Sequence, residues 1–206
     1  MRTFAKSGTG VTVSPSEIST IDELAAALAE AVGGSAEVAH GTAKVRVGRE
    51  GWVEACRTAR DDFGMIFFSW LSAVDWSNTV EVGDPLTEPV EERYEVVAAL
   101  ADISVGLIVL ISSDIPKEDP RIDSLVGLYS GANWHEREAH EMFGIEFTGH
   151  PQLIKLYLPE AFQGHPLRKS FPLLSREVKP WPGTVDVEGM PGHQDEDEPS
   201  TENPEA

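Results

Sequence analysis

The apolar and polar positions predict regular secondary structure in the first half of the chain. Apolar residues at helical spacing predict an amphipathic helix from Ile21 to Val32, with Thr20 before it and Gly33-Gly34 after it. A second helix is predicted from Trp52 to Phe63, and Gly64 is its stop signal. Both helices show one apolar stripe, so each is expected to pack one face on a core.

Strand-like segments surround the second helix and are rich in branched and aromatic residues. Two of them form a hairpin that turns at Gly41-Thr42, and a Pro/Glu-rich insertion at Ser77–Glu91 separates two others. The segments are Glu37–His40, Lys44–Val47, Met65–Trp76, Tyr94–Ala101 and Val105–Ile111. Because the later strands are joined too briefly for parallel crossovers, we predict an α+β fold: a two-layer domain with a mixed or antiparallel sheet and two helices.

The second half of the chain changes character after Pro116. A short helix is predicted at Ser124–Tyr129 and a stronger one at Trp134–Phe143, which ends at Gly144. Residues 146–182 then contain six prolines and five basic residues, with almost no periodicity. Because proline removes backbone donors and keeps its neighbour extended, this stretch predicts an extended C-terminal arm that binds a partner.

The predicted organisation has four parts. A flexible N-terminus (1–10) precedes the α+β domain (11–115), which is followed by the helix and the proline-rich docking arm (116–182). Residues 183–206 are predicted to be an acidic, disordered tail, since eight acidic residues and no Lys or Arg occur from Asp186 onward.

Charge and composition exclude several classes of protein. The formal net charge of −19 disfavours binding to nucleic acids or anionic lipids. No apolar run approaches the length of a spanning helix, and no secretory signal is visible, so a cytoplasmic chain is expected. The chain has no glycine-rich phosphate loop. Its single cysteine, Cys56, is interpreted as a core residue and cannot form a disulfide or an iron–sulfur cluster within the chain.

The segment from Asn133 to Gly144 concentrates histidines and carboxylates. His135 and His140 are five residues apart, about 140° around a helix, so they cannot chelate one ion. Glu136 is predicted to form a capping box with Asn133, to be partly buried and to need a nearby cation. Arg137 and Glu141 are spaced to form an ion pair, and Trp134 is either an interface anchor or packed under the following loop.

Two Gly-His-Pro triplets follow, at Gly149–Pro151 and Gly164–Pro166. Glycine permits unusual backbone angles and the residue before proline is held extended, so each triplet can make a corner that aims an imidazole. With these motifs, the run from Ala132 to Leu173 resembles the signature of the C-type subunit of proton-pumping NADH-quinone oxidoreductase, respiratory complex I. The matching elements are Asn133-Trp134, Glu136-Arg137-Glu138, Glu141–Ile145, Gly149–Pro151, Leu158-Pro159-Glu160 and Gly164–Lys169.

The resemblance implies a non-redox scaffold subunit of the peripheral arm of that complex. It would dock on the large quinone-reducing subunit, the D-type subunit, near cluster-bearing subunits, on the cytoplasmic side of the cell membrane. The chain would hold no cofactor, whereas FMN and iron–sulfur clusters in neighbouring subunits would carry electrons from NADH to quinone and drive proton translocation. His140, where the family has an aromatic residue, and Ile154, where it has a basic one, depart from the pattern.

Ten residues are the predicted partner contacts, and no catalytic, cofactor or metal residue is assigned. They are Trp134, Glu136, Arg137, Glu138, Glu141, His150, Lys155, His165, Arg168 and Lys169. Two alternatives remain open from sequence. The chain could be the equivalent subunit of a membrane-bound hydrogenase or of a ferredoxin- or F420-linked dehydrogenase, or a small metal-dependent hydrolase using Glu136, His140 and His150.

Overall fold

The structure, a computed structural model, describes residues 20–81, 84 and 86–172. Its helices are α1 (Ile21–Val32), α2 (Trp52–Asp61) and α3 (Ala132–Phe143). Its strands are β1 (Ser35–Ala39), β2 (Thr42–Val47), β3 (Phe67–Trp76), β4 (Arg93–Asp102), β5 (Leu107–Ile115), β6 (Arg121–Asp123) and β7 (Glu146–Thr148).

Helix α1 begins and ends where its sequence signals predict. The Thr20 hydroxyl accepts a hydrogen bond from the Glu23 backbone N–H, and the Glu23 carboxylate accepts one from the Thr20 N–H. This capping box satisfies two N–H groups that the first turn would leave unpaired. Gly33 ends the helix in the left-handed region, at φ 66°. The predicted bounds of this helix are therefore confirmed.

The main sheet is five-stranded, in the order β1-β2-β5-β4-β3. Strands β2 and β5 are parallel, whereas the other neighbouring pairs are antiparallel, so the predicted mixed sheet is confirmed. The parallel pair exists because α2, β3 and β4 all intervene between β2 and β5, which gives the chain room to cross over. Strands β6 and β7 form a separate parallel pair.

One hydrophobic core lies between the sheet and the helices. It joins Leu24 and Leu28 of α1, Trp52 and Cys56 of α2, and the alternate β4 side chains that include Leu100. Apolar residues of α3 belong to the same core, so the α+β architecture with two layers is confirmed. Cys56 is fully buried and burial raises the pKa of its thiol, which supports its interpretation as a core residue.

Several predicted elements differ in the structure. Ser124–Tyr129 is a turn, so the predicted helix is wrong there: the Leu128 and Tyr129 N–H groups donate to the Leu125 carbonyl in a single turn, and Gly127 disfavours a longer helix. Strand β5 begins at Leu107 and continues to Ile115, because Gly106 takes a positive φ of 74° in the preceding turn. Helix α3 begins two residues earlier than predicted, at Ala132.

The segment after β7 contains no helix or strand up to Pro172, the last described residue, in agreement with the predicted extended arm. Residues 149–172 are called the arm. The predicted flexible N-terminus, the end of the docking arm and the predicted acidic tail lie outside the described residues. Within the described part of the chain, no helix is long and apolar enough to span a membrane.

Candidate partner-binding site

Helix α3 carries the acidic residues of the predicted site, and Glu136 is the most deeply buried of them. Its carboxylate accepts hydrogen bonds of 2.6 Å from the Ser124 hydroxyl and from the Leu125 backbone N–H. The predicted capping box is wrong, because the N-cap of α3 is Gly131 and Glu136 reaches into the core. Its burial is as predicted, but its described polar partners are neutral rather than cationic.

Burial without a cation changes the ionisation of Glu136. Desolvation raises its pKa to about 7, although the Ser124 hydroxyl and the Leu125 N–H oppose this change. A carboxyl group whose pKa is higher in the folded than in the unfolded chain binds its proton more tightly when folded. The contribution of Glu136 to stability therefore falls as the pH rises from about 4.5 to about 7.

We expect Glu136→Gln to remove this pH dependence. Glutamine keeps the acceptor for Leu125 and carries no charge. In the wild type, Glu136 should lower the free energy of unfolding by on the order of 3 kcal/mol between pH 4.5 and pH 7, and this fall should disappear in the variant. Urea unfolding of the full chain at several pH values measures it, with Glu138→Gln as the control on the same helix. Equal slopes for the wild type and Glu136→Gln would contradict the expectation.

Glu141 holds the middle of the arm. Its two carboxylate oxygens accept hydrogen bonds from the backbone N–H groups of Leu156, Tyr157 and Leu158, at 2.8, 2.9 and 2.5 Å. Burial opposes ionisation, but these three donors outweigh it and lower the pKa of Glu141. A single carboxylate thus fixes three consecutive residues of a segment without regular structure.

Arg137 binds the same segment one turn earlier on α3. Its guanidinium donates to the carbonyl oxygens of Ile154 and Lys155, at 2.9 and 3.0 Å. The predicted ion pair between Arg137 and Glu141 is therefore wrong, since each side chain bonds to the arm instead. The helix spacing that would allow the pair also places both groups on the face that the arm crosses.

The second Gly-His-Pro triplet caps the C-terminal end of α3. The last carbonyl groups of a helix have no intrahelical partner. His165 donates through Nδ1 to the Glu141 carbonyl at 2.8 Å, the Leu167 N–H to the Met142 carbonyl at 3.1 Å, and Arg168 Nε to the Phe143 carbonyl at 2.6 Å. The Arg168 charge also suits the negative end of the helix dipole.

The first triplet secures the other end of α3. The His150 Nδ1 atom accepts a hydrogen bond from the Gln152 N–H, at 3.0 Å. That acceptor role leaves the ring proton on Nε2, which lies 3.2 Å from the Asn133 carbonyl oxygen and donates to it. Both predicted imidazole corners therefore hold the arm against α3.

The two lysines predicted as partner contacts also bind within the chain. The Lys155 ammonium donates to the carbonyl groups of Pro159, Glu160 and Phe162, at 3.2, 3.1 and 2.8 Å, which closes a loop of the arm. The backbone N–H of Lys169 donates to the Asp75 carboxylate near the end of β3, at 2.9 Å. Asp75 is buried and also pairs with Lys117, so it anchors the end of the arm to the sheet.

The arm and α3 expose large apolar side chains that no described element covers. Trp134 is 61% exposed, so it is not packed under the following loop, and Tyr157 is 62% exposed. Arg137 and Glu141 share a helix face with Trp134 and bind residues 154–158, which places Trp134 beside this part of the arm. We define the contact surface as Trp134, Ile154, Tyr157 and Leu167.

Three of these four residues were missed by the sequence reasoning. Ile154, Tyr157 and Leu167 lie in a stretch too irregular to show apolar periodicity, which is the usual signal for a core or an interface. A signal was nevertheless available. Large apolar residues in a proline-rich arm cannot all reach a core, so their presence favours a covered surface.

The remaining candidates are placed as follows. Glu138 is partly exposed on α3 and has no hydrogen bond or ion pair among the described residues. The partner-binding role of the polar candidates stays a prediction, because most of them have partners within the chain.

The residues of the hydrolase alternative are not brought together in the structure. His140 binds the Ile145 carbonyl and His150 binds the Asn133 carbonyl, and the described residues contain no group of three potential metal ligands.

Comparison with known proteins agrees with the α3 and arm signature. Residues 45–177 match the family model described as the 30 kDa subunit of respiratory-chain NADH dehydrogenase. The chain belongs to this family. Within it, the C-type subunit of NADH-quinone oxidoreductase from Roseiflexus sp. strain RS-1 is 39% identical over 160 residues, which cover 77% of this chain and 85% of that protein.

Two further relatives extend the comparison within the family. The fused C/D-type subunit of NADH-quinone oxidoreductase from Chromohalobacter salexigens is 38% identical over 102 residues, which cover 50% of this chain and 17% of that protein. Among solved structures, the trypsin-resistant fragment (1–134) of Nqo5 is 28% identical with a TM-score of 0.52, and the match covers 65% of this chain and all of the fragment. The family membership expected from the motifs is thus confirmed.

Proposed function

We propose that this chain is a non-redox scaffold subunit of a proton-translocating NADH-quinone oxidoreductase. In such an assembly FMN and iron–sulfur clusters in neighbouring subunits carry electrons from NADH to quinone. This chain orients the cluster-bearing subunits and the large quinone-reducing subunit on the cytoplasmic side of the membrane. It contributes shape and contacts rather than a redox centre.

The observation that carries the proposal is the arrangement of side chains around α3, where polar groups bind the arm and large apolar groups are exposed. Charged and polar side chains, which include Glu141, Arg137 and Arg168, are turned inward to fix the arm. The arm and α3 then present Trp134, Ile154, Tyr157 and Leu167 outward. A rigid surface with exposed aromatic residues is typical of the centre of a protein interface.

The fused relatives support the choice of partner. In the Chromohalobacter salexigens protein, a segment like this one belongs to a chain whose name joins the C-type and D-type subunits. Fusion places two modules at high effective concentration, which favours a pair that functions in contact. We therefore assign the contact surface to the large quinone-reducing subunit, the D-type subunit, with cluster-bearing subunits nearby.

Affinity purification from membranes tests this function. We expect a tagged chain to recover the quinone-reducing and cluster-bearing subunits together with NADH-dependent quinone reduction, and deletion of the chain to abolish both. The electron donor should be varied in parallel. Recovery of the chain alone, or of an assembly that reduces its acceptor with ferredoxin, F420 or hydrogen but not with NADH, would reject the proposal.

A further inference from the structure

The lysines and arginines in the described part of the chain fall into two groups. Each one that lies before α3 forms an ion pair with an Asp or Glu of the same chain. The others, on α3 and the arm, form no ion pair with a described carboxylate; they are Arg137, Lys155, Arg168 and Lys169. Because acidic residues are abundant in a chain of net charge −19, this difference sets α3 and the arm apart.

Arg168 differs from the other three cations in the donors that it leaves unused. Its Nε atom donates to the Phe143 carbonyl at 2.6 Å, whereas its two η nitrogens have no acceptor among the described residues. Arg137 uses Nε and one η nitrogen for two carbonyl groups, and the two lysines have no planar fork. The two η nitrogens of a guanidinium form an edge that matches both oxygens of a carboxylate. Arg168 is half-buried, so part of its side chain stays at the surface.

The neighbours of Arg168 hold its guanidinium without neutralising it. The guanidinium carbon lies 5.7 Å from the centroid of the Tyr94 ring, and the Lys117 ammonium lies 5.4 Å from the same centroid. Burial and the nearby Arg168 charge lower the pKa of His165, so this ring is neutral at pH 7. Arg168 is therefore surrounded by an aromatic ring, a neutral imidazole and a second cation.

The carboxylate that pairs with Lys117 is already occupied. Asp75 is 4% exposed, and its oxygens accept hydrogen bonds from the Ser77 hydroxyl and the Lys169 backbone N–H in addition to the ion pair with Lys117. Arg168 thus keeps a positive charge that no described carboxylate of the chain pairs with. A half-buried charge without a counter-ion is unfavourable, so the site favours an anion from outside the described chain.

We propose that the η edge of Arg168 binds a carboxylate of the large quinone-reducing subunit in a bidentate ion pair. The preceding residue, Leu167, belongs to the contact surface and is 50% exposed, so a partner that covers Leu167 also reaches this edge. An Asp or Glu supplies both the charge and the two acceptor oxygens. The pair fixes the orientation of the partner on the apolar contact surface. The inference rests on the proposed function, since it specifies the chemistry of the partner at the same surface.

Carbodiimide cross-linking of the purified complex tests the pairing directly. The Arg168→Lys variant of the tagged full-length chain keeps the positive charge and places a primary amine at this position, and a carbodiimide joins an amine to a carboxylate in contact with it. We expect position 168 to be joined to one Asp or Glu of the quinone-reducing subunit, as mapped by mass spectrometry. A link to this chain's own carboxylates, including those from Asp186 onward, to another subunit or to none would overturn the inference.

Retention of the chain in the complex gives an independent measurement. Arg168→Gln should lower retention by at least about tenfold, because the partner carboxylate is left without its cation. Arg57→Gln is the matched control, since Arg57 pairs at 3.2 Å with Glu54 of its own helix and should be retained like the wild type. Equal retention of the two variants would also contradict the inference.

A charge exchange separates docking from the role of Arg168 at the end of α3. Arg168→Glu should be lost from the complex, and replacing the cross-linked partner carboxylate with arginine should restore most of its retention. Without that recovery, Arg168 acts only on its own helix and the inference fails while the proposed function stands. If the wild-type chain recovers no other subunit, the proposed function itself fails.

Discussion

Glu141→Gln is expected to lower the free energy of unfolding by about 2–4 kcal/mol and to release the middle of the arm. Glutamine keeps one acceptor oxygen but replaces the other with an amide that donates, and three backbone N–H groups converge here. Each hydrogen bond to a charged acceptor is worth about 1.5–3 kcal/mol, and part of the loss is regained when water reaches the exposed arm. Urea unfolding of the isolated chain measures the change.

Glu138→Gln is the control for this prediction. It makes the same chemical change on the same helix, at a side chain without polar contacts in the described part of the chain, and should change stability by no more than about 0.5 kcal/mol. Limited proteolysis gives a second measurement, since the arm should be cut near residues 154–158 in the Glu141→Gln variant but not in the Glu138→Gln variant. Identical stability and cleavage for the two variants would show that Glu141 does not hold the arm.

The wild-type arm should also loosen in acid. Because the pKa of Glu141 is lowered in the folded chain, its contribution to stability is present at neutral pH and is lost as the pH falls from its ordinary value of 4.5 through the lower folded pKa. The contribution of Glu136 to stability has the opposite pH dependence, since its pKa is raised in the folded chain. Glu136 and Glu141, two of the three carboxyl groups of α3, therefore favour the folded chain in different pH ranges.

Trp134→Ala is expected to weaken binding to the quinone-reducing subunit by at least about 2 kcal/mol, roughly 30-fold in affinity, with little change in folding. Trp134 is 61% exposed in this chain, so its removal leaves the core intact. Buried tryptophans at the centre of interfaces are the residues whose truncation costs most. Retention of the chain in the purified complex and its NADH-dependent quinone reduction measure the effect.

Val38→Ala, at an exposed apolar position on the edge strand β1, is the comparison variant. Unfolding by urea should show both variants to be about as stable as the wild type. If the complex retains the Trp134→Ala chain to the same extent as the Val38→Ala chain, Trp134 is not an interface anchor. The docking role would then pass to Ile154, Tyr157 and Leu167, which can be replaced one at a time.

Local signals predicted α1 and the end of α3 correctly because they depend on residues a few positions apart. Thr20 and Glu23 form their capping box within one turn, and Gly33 and Gly144 adopt the left-handed conformation that ends a helix. The same locality explains why the helix at Ser124–Tyr129 was predicted wrongly. There the Leu128 and Tyr129 N–H groups close a single turn on the Leu125 carbonyl, and a distant carboxylate, Glu136, caps that turn by accepting from the Leu125 N–H.

The amino-acid sequence by itself determined the family, the α+β class, the burial of Cys56 and the irregular arm, since these follow from motifs, periodicity and proline content. The tertiary structure alone decided what the polar signature of α3 does. Spacing on the helix favoured an Arg137–Glu141 pair, but both side chains bind backbone groups 15–18 residues away. Sequence reasoning could not find these bonds, because backbone donors and acceptors are the same in every residue except proline, and only folding selects which of them come within reach.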